Sequence, residues 1–440
     1  MFKNIANAFK IKDIRKRLLY TAICLLIIRL GSQLPVPGCN REFFAQWFAQ
    51  QTGDAFNFFD AFTGGSFTNM SVFALGITTY IMASIIIQML TLSIPKLEEM
   101  SREEDGHKKL SEATRYATIV LAVLEGLGMS IGFGKQGLLD SYNALNVISS
   151  TAALTAGAAF VMWLGEQITE KGIGNGSSII LVFNIAARIT ADIATLYDQF
   201  VKNASNVGRA VLSAIIIIAV ILITIILTVL LNDGVRKIPV HYNGRSNNSR
   251  IAAMGNTNNI PLRVNTAGVM PVIFASSLMQ FPVILYSFMG KQPDVTTTFG
   301  KILTALQSSS WFNKEQPLYT LGLVLYIVLV IFFAYFYTAI TFNPVLIADN
   351  LKKRGGFIPG VRPGRPTTEY LNNILQYIIF IGAVGLFIVV IIPIVCNGIF
   401  GASVSFAGTS LIIIVSVILD SMRQVETMMI ERNYKGFLNS

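Results

Sequence analysis

Charge is what this 440-residue chain has least of: 13% of its residues are Asp, Glu, Lys or Arg, while 53% are hydrophobic. Soluble domains carry about 25% charged residues, so the balance excludes an ordinary water-soluble fold and makes lipid the default solvent. Histidine occurs twice, as His107 and His241, both between apolar runs, so neither supplies a proton relay at membrane depth. The three cysteines, Cys24, Cys39 and Cys396, are odd in number and lack metal-ligand spacing, which speaks against a disulfide framework or a zinc site. No small-residue cleavage site follows the first apolar run, which is therefore expected to stay as a helix. Enzyme signatures are missing too: GIGNGS at Gly172 to Ser177 has no Walker lysine, no Ser or Cys has a plausible His partner, and HExxH is absent. Those glycines read as a loop-to-helix turn, and the expectation is a protein that is no enzyme and holds neither metal nor cofactor.

What the chain does have is apolar runs of spanning length, about 20 residues each. They extend from Leu18 to Leu34, Met70 to Ile94, Thr114 to Phe133, Val147 to Gly165 and Ser177 to Leu196. Five more run from Val211 to Leu231, Ala267 to Met289, Leu318 to Phe342, Ile374 to Val395 and Phe406 to Met422. Ten spans put both termini on one side, and the basic residues say which. With the N-terminus inside, the outer segments hold only Arg41, Lys135, Arg188, Lys202, Arg209, Lys291, Lys301 and Lys314, and Arg29 falls in a span. The remaining Lys and Arg are cytoplasmic, which accounts for the net charge of +10 without nucleic acid, although so basic a face also suits an RNA-rich or acidic partner.

Five spans before the middle and five after enter the membrane in opposite senses, as in inverted-repeat membrane proteins. The organisation read from this is a basic segment 1–17, an N-terminal half 18–200, a C-terminal half 201–426 and a tail 427–440. Two cytoplasmic loops, 232–266 and 343–371, are long enough to need a purpose. The first alternates around Ile238, Val240 and Tyr242 before Asn243-Gly244, which suggests a short hairpin; the second carries Arg-Gly-Gly and Pro-Gly turns.

FNFFDAFTGGSFTN, about 56–69, is too short to cross and is interrupted by Gly64-Gly65. It reads as a short helix re-entering the outer half of the membrane, and irregular backbone at that depth hints at a pore. An amphipathic helix lying on the outer leaflet is the other reading of the same pattern. Ionisable residues in the spans are few: Arg29, expected to snorkel, and Glu125, with Glu166, Asp349 and Asp420 near the cytoplasmic ends. A mainly aliphatic midplane argues against an ion-coupled carrier.

Several segments, in order from about Arg15 to Met429, resemble the bacterial SecY family. They are IRLGSQLPVPG (Ile28 to Gly38), FALGITTYIMASIIIQ (Phe73 to Gln88), MWLGEQITEKGIGNGSSII (Met162 to Ile180), NTAGVMPVIFASS (Asn265 to Ser277), FYTAITFNP followed by ADNLKKRGGFIPGVRPG (within Phe333 to Gly364), and AGTSLIIIVSVILD (Ala407 to Asp420). Their order and spacing carry the match. The resemblance implies an all-α, ten-helix clamshell of two pseudo-symmetric inverted halves of five, hinged between the fifth and sixth helices. The halves enclose a pore that opens sideways to lipid.

By that resemblance the pore ring falls on Ile77, Ile81, Ser177, Leu181, Ile273 and Ile413, with Ser177 departing from the family's isoleucines. The plug falls on Phe62, Thr63, Gly64, Gly65, Ser66 and Phe67. A polar cluster of Gln88, Glu125 and Asn265 is expected at the lateral gate, between spans two and three and spans seven and eight. Arg250, Lys352, Lys353, Arg354 and Arg362 are implied as contacts for the SecA motor and the ribosome. The implied partners are the small subunits SecE and SecG, SecA, the ribosome, unfolded signal-bearing polypeptides and membrane lipid. The implied function is a passive, gated channel in the cytoplasmic membrane. It conducts unfolded polypeptides and releases membrane segments laterally, with energy from those partners. A small-solute secondary transporter is the alternative that inverted halves and a broken helix permit; a membrane enzyme or insertase lacks its polar cluster or groove.

Overall fold

Each of the ten apolar runs contains or overlaps a helix in the computed structural model, which describes residues 11–50, 54–102, 106–197, 207–242, 258–288, 296–307, 310–311, 317–400 and 409–438. The first part of the chain forms α1 (Lys12–Gly31), α2 (Arg41–Gln50), α3 (Asp54–Thr63), α4 (Thr78–Ser93), α5 (Pro95–Arg102), α6 (Gly106–Gly132), α7 (Ala144–Lys171) and α8 (Gly176–Tyr197). The second forms α9 (Val207–Asp233), α10 (Met270–Phe288), α11 (Thr298–Ala305), α12 (Thr320–Thr341), α13 (Pro344–Lys353), α14 (Arg365–Phe400) and α15 (Thr409–Leu438). The ten runs map onto α1, α4, α6, α7, α8, α9, α10, α12, α14 and α15. Six of these ten regions are long and apolar enough to cross a membrane unaided, and Thr78–Thr91 and Gly176–Ile189 are shorter apolar helices.

The second span departs from the expectation. Its helix starts at Thr78, not Met70, and has 16 residues. The chain over 64–77 turns repeatedly because Gly64 (φ 66°), Gly65 (φ 83°) and Met70 (φ 43°) adopt the left-handed conformation, which ends a right-handed helix. Its backbone finds partners all the same: Gly65 N donates to Asp60 O at 3.1 Å, Ser71 N to Ser66 O at 3.0 Å and Val72 N to Leu34 O at 2.9 Å. Such pairing is what allows irregular backbone inside a membrane protein. The stretch also leans on α7, where Gly157 has no side chain; a Cβ there would lie 1.9 Å from the Val72 carbonyl oxygen. Close approach at small residues replaces the hydrophobic drive that lipid cannot give between helices.

The two long loops fold together at the far end of the bundle. Strand β1 (Val235–Tyr242) pairs antiparallel with β2 (Asn258–Arg263), Ile238 opposite Ile260. It also pairs with β3 (Gly356–Phe357) from the second loop, His241 opposite Phe357. The expected hairpin exists as strands, while its proposed turn at Asn243-Gly244 lies outside the described residues. The alternation of β1 buries Ile238 and Val240 against Leu351, Leu371, Ile374 and Ile378 of α13 and α14. Asn343 caps α13, accepting from Val345 N at 3.1 Å and Leu346 N at 3.3 Å, with Pro344 opening the helix.

Candidate functional site

The middle of the bundle is an aliphatic neck. Ile77 at the start of α4, Ile81 one turn on, Leu181 of α8, Ile273 of α10 and Ile413 of α15 belong to one buried cluster. Ser177 does not join them. Its hydroxyl and its N–H both donate to Asn175 Oδ1, at 2.7 and 3.1 Å, so it serves the first turn of α8. Ile185, one turn beyond Leu181 on the same helical face, does lie in that cluster, at 2% exposure.

On the sheet end of the neck a cavity of about 400 Å³ opens over Ile81, Leu181 and Ile273, with Ser84, Gln88, Thr169, Ser177 and the Arg115–Glu166 ion pair (2.8 Å) in its walls. A second cavity of about 400 Å³ adjoins it around Asn265, Asp420 and Arg423. The GIGNGS glycines form the expected turn into α8, and Gly174 N donates to Gln424 Oε1 of α15.

The opposite end is stoppered. The chain from α3 to Phe67 folds under the neck, and Phe62 joins the neck cluster. Asn184 Nδ2 of α8 donates to Phe62 O at 3.0 Å, and a Cβ on Gly64 would lie 3.0 Å from Asn184 Cα. Thr63 Oγ1 donates to Asp60 O at 3.2 Å and accepts from Phe67 N at 3.3 Å, and Ser66 O accepts from Ser71 N. Phe67 is fully buried among Phe44, Phe48, Phe59 and Phe288, with ring centroids 5.1 to 6.1 Å away.

Three arginines bind this segment. Arg29, expected to snorkel, instead donates to Gly64 O at 2.8 Å. Arg41 donates to Asn69 Oδ1 at 2.7 Å. Arg188, assigned above to an outer segment, lies within α8 and forms an ion pair with Asp60, itself 2% exposed and accepting from Thr68 N at 2.8 Å. Asp60, Arg188 and Asn184 escaped sequence reasoning; a charge seven residues after Leu181, on its face of an apolar run, was the signal that could have found them.

The expected polar cluster is not assembled. Glu125 Oε2 of α6 accepts from Thr79 Oγ1 of α4 at 2.7 Å, and both residues are buried. Gln88 Nε2 donates to Ser84 Oγ of its own helix at 2.8 Å, four residues back. Asn265 precedes α10 and donates through Nδ2 to Asn232 Oδ1 of α9 at 2.9 Å, while Asn232 Nδ2 donates to Ser416 Oγ of α15. Glu125, Gln88 and Asn265 thus each bond to a separate partner, and Gln88 Oε1 is buried with no hydrogen-bond partner among the described residues. Gln280 of α10 has a buried Oε1 with no hydrogen-bond partner, a feature nothing in the sequence singled out.

Of the basic residues implied as contacts, Lys352 and Lys353 end α13, where they complement its dipole, and they are exposed together with Arg354 and Arg362. Arg250 lies outside the described residues. Among the described residues no three His, Cys, Asp or Glu side chains gather as metal ligands.

A helical membrane bundle with an aliphatic neck, open to a polar-lined cavity on one side and stoppered on the other, is the architecture of a gated channel. The SecY family model matches residues 71–422. The protein translocase subunit SecY of Halalkalibacterium halodurans is 40% identical over 449 residues, with 100% of both chains covered, and that of Escherichia coli K12 is 39% identical, covering 97% of this chain and 94% of its own. The fold matches a solved protein-conducting channel at TM-score 0.65 and 16% identity, and the Sec61 of a canine ribosome-channel complex at TM-score 0.62 and 15% identity, each over 96% of both chains. The chain belongs to the SecY family: it is a multi-pass, non-enzymatic channel subunit of a protein translocase.

Proposed function

We propose that Ile77, Ile81, Leu181, Ile185, Ile273 and Ile413 form the constriction through which an unfolded polypeptide passes, with Ile185 in the place first given to Ser177. The carrying observation is the single buried cluster these six share, between a polar cavity and the segment from Phe62 to Phe67. An apolar neck holds water poorly and offers a moving chain no strong hydrogen bond, so it seals without trapping. Phe62, Thr63, Gly64, Gly65, Ser66 and Phe67 are the plug.

Segments leave sideways between α4 and α6 on one wall and α10 and α12 on the other. Phe288 at the end of α10 packs beside Phe133, the residue that follows α6, at 6.4 Å, and eight residues before each, on those two helices, stand Gln280 and Glu125. The helical register thus supports a gate contact between Gln280 and the Thr79–Glu125 pair, in place of Asn265. Gln88 belongs to the vestibule wall, and the halves are 18–200 and 201–426.

The channel sits in the cytoplasmic membrane with both termini inside. SecA or the ribosome docks on Arg250, Lys352, Lys353, Arg354 and Arg362 and supplies the energy; the canine channel and a yeast Ssh1 complex are both described with ribosomes. An apolar groove of about 480 Å³ lined by Leu18, Leu25, Val182, Phe183, Val417 and Met422 suits a membrane helix of the SecE or SecG kind. The test is a photo-crosslinking residue at Ile81 and a secretory chain arrested in transit, with a lipid-facing residue such as Ile218 as control. Adducts at position 81 alone are expected; none with a properly engaged chain would remove the constriction.

A further inference from the structure

The described chain between α10 and α12, 296–307 and 310–311, lies beside those two helices rather than beyond their ends. Thr297 Oγ1 accepts from Gly300 N at 3.1 Å and starts α11, whose inner face packs Leu303 on Val283 of α10, while Phe299 lies against Tyr286 with ring centroids 5.5 Å apart. The far end of α11 is fixed to α12. A Cβ on Gly322 would lie 1.8 Å from Ala305 O, the same oxygen accepts from Trp311 Nε1 at 2.9 Å, and the rings of Trp311 and Tyr326 are 5.0 Å apart. These contacts set a depth. Helix α10 has 19 residues, about 28 Å, close to the roughly 30 Å of hydrocarbon, so its last residue, Phe288, marks the outer boundary. Val283 is about 7 Å inside that boundary, and Tyr326 is about 9 Å inside the start of α12.

We infer that α11 is a lipid-binding helix of the outer leaflet, with Phe299 and Ile302 among acyl chains and the Lys301 ammonium on the phosphate of a phospholipid headgroup. The depth is that of interfacial helices, whose apolar side sinks about 5–10 Å into the boundary between headgroups and acyl chains. The outward half of α11 is divided to match. Phe299 and Ile302, 56% and 54% exposed, form one edge, and Thr298 and Lys301, also exposed, form the other. Exposed apolar residues at helical spacing, Leu318, Leu321, Leu325, Val328 and Phe332, run down α12, so the helix to which α11 is fixed already faces lipid. A lysine at this level keeps its stem along the apolar edge and lifts its charge to the phosphates. Because α11 is packed on both α10 and α12, the grip of the leaflet on it sets the height of that helix pair. The inference is independent of the constriction and of the plug.

The experiment places a nitroxide label singly at Thr298→Cys, Phe299→Cys, Lys301→Cys or Ile302→Cys of the assembled channel in phosphatidylglycerol vesicles, with the native thiols removed by Cys24→Ser, Cys39→Ser and Cys396→Ser. Relaxation of the label by oxygen, which concentrates in lipid, is compared with relaxation by a nickel chelate, which stays in water. The oxygen-to-nickel ratio is expected to be roughly fivefold higher at 299 and 302 than at 298 and 301. Adding Lys301→Glu to the label at 302 should lower its ratio by roughly twofold or more, as the helix is pushed off the phosphates. Equal ratios at all four positions overturn the lipid-binding helix. A clear difference between the two edges that Lys301→Glu leaves unmoved overturns the phosphate contact. Should the label at 299 disturb the ring contact with Tyr286, the label at 302 decides against those at 298 and 301.

Discussion

At the scale of single residues, the neck and its stopper make opposite demands. The neck needs bulk without polarity, and Ile185 satisfies that where Ser177 cannot, since Ser177 is spent on Asn175. Ile185→Asn is expected to raise the resting ion leak of reconstituted channels several-fold, whereas Ser177→Ile leaves it within twofold of wild type; conductance recordings decide, and the reverse order would restore Ser177 to the ring. The stopper needs polarity without exposure. Arg188→Ala strands the Asp60 carboxylate in the interior, at a cost of about 3 kcal/mol, and so favours the displaced plug. Export of substrates with defective signal sequences should rise in that variant, and the swap Asp60→Arg with Arg188→Asp should recover part of the stringency. If the single variant keeps wild-type stringency, the ion pair does not hold the channel shut.

At the scale of elements, apolar runs marked where helices exist but not where they begin. The Gly64-Gly65 break was legible because two adjacent glycines rarely sit inside a span. The further turns that delay α4 to Thr78 were not, because Met70 in a left-handed conformation leaves no mark in a sequence. The residues expected at a gate showed the same limit: Glu125 stood out as a rare buried charge, while its partner Thr79 is an ordinary threonine in an apolar run, 46 residues away. Asn265 looked like a gate residue and proved to be tied to Asn232, a pairing fixed by how α9 and α10 pack. Element packing also makes a prediction of its own. Gly157→Val places a branched side chain where the Val72 carbonyl lies, and overpacking of this kind costs about 1–3 kcal/mol. The variant should lose thermal stability in detergent and leak ions, as the 64–77 stretch is pushed off α7; an unchanged melting temperature would show that this stretch yields freely.

At the scale of the whole molecule, distant parts of the chain are fastened at the sheet end. Arg423 of α15 donates to Asn232 O and Asp233 Oδ1 of α9, both at 2.6 Å, and Asp420 pairs with Arg263 at the end of β2 at 3.3 Å. These are charge-assisted bonds, partly screened where they face water, and Arg423→Ala is expected to cost about 1–2 kcal/mol. Limited proteolysis of the second half should speed up accordingly; equal rates would assign the fastening to β1 and β3 instead. Ten apolar runs and their charge bias made the bundle legible, but a sheet joining loops more than a hundred residues apart depends on a two-residue strand, Gly356–Phe357, with no pattern long enough to read.

The short second span has a consequence for how the channel itself is made. Sixteen helical residues cover about 24 Å, less than the roughly 30 Å of hydrocarbon they must bridge. The missing length is the irregular stretch 64–77, which reaches the stretch after α1 through Val36 N to Met70 O and Val72 N to Leu34 O. Delivered to lipid alone, α4 would bring unpaired peptide groups with it, at several kcal/mol each. Biogenesis therefore has an order: α1 must already be in place, and α7 must follow closely, before this segment has anywhere to settle. A channel subunit for polypeptides thus contains a helix that could not enter the bilayer singly.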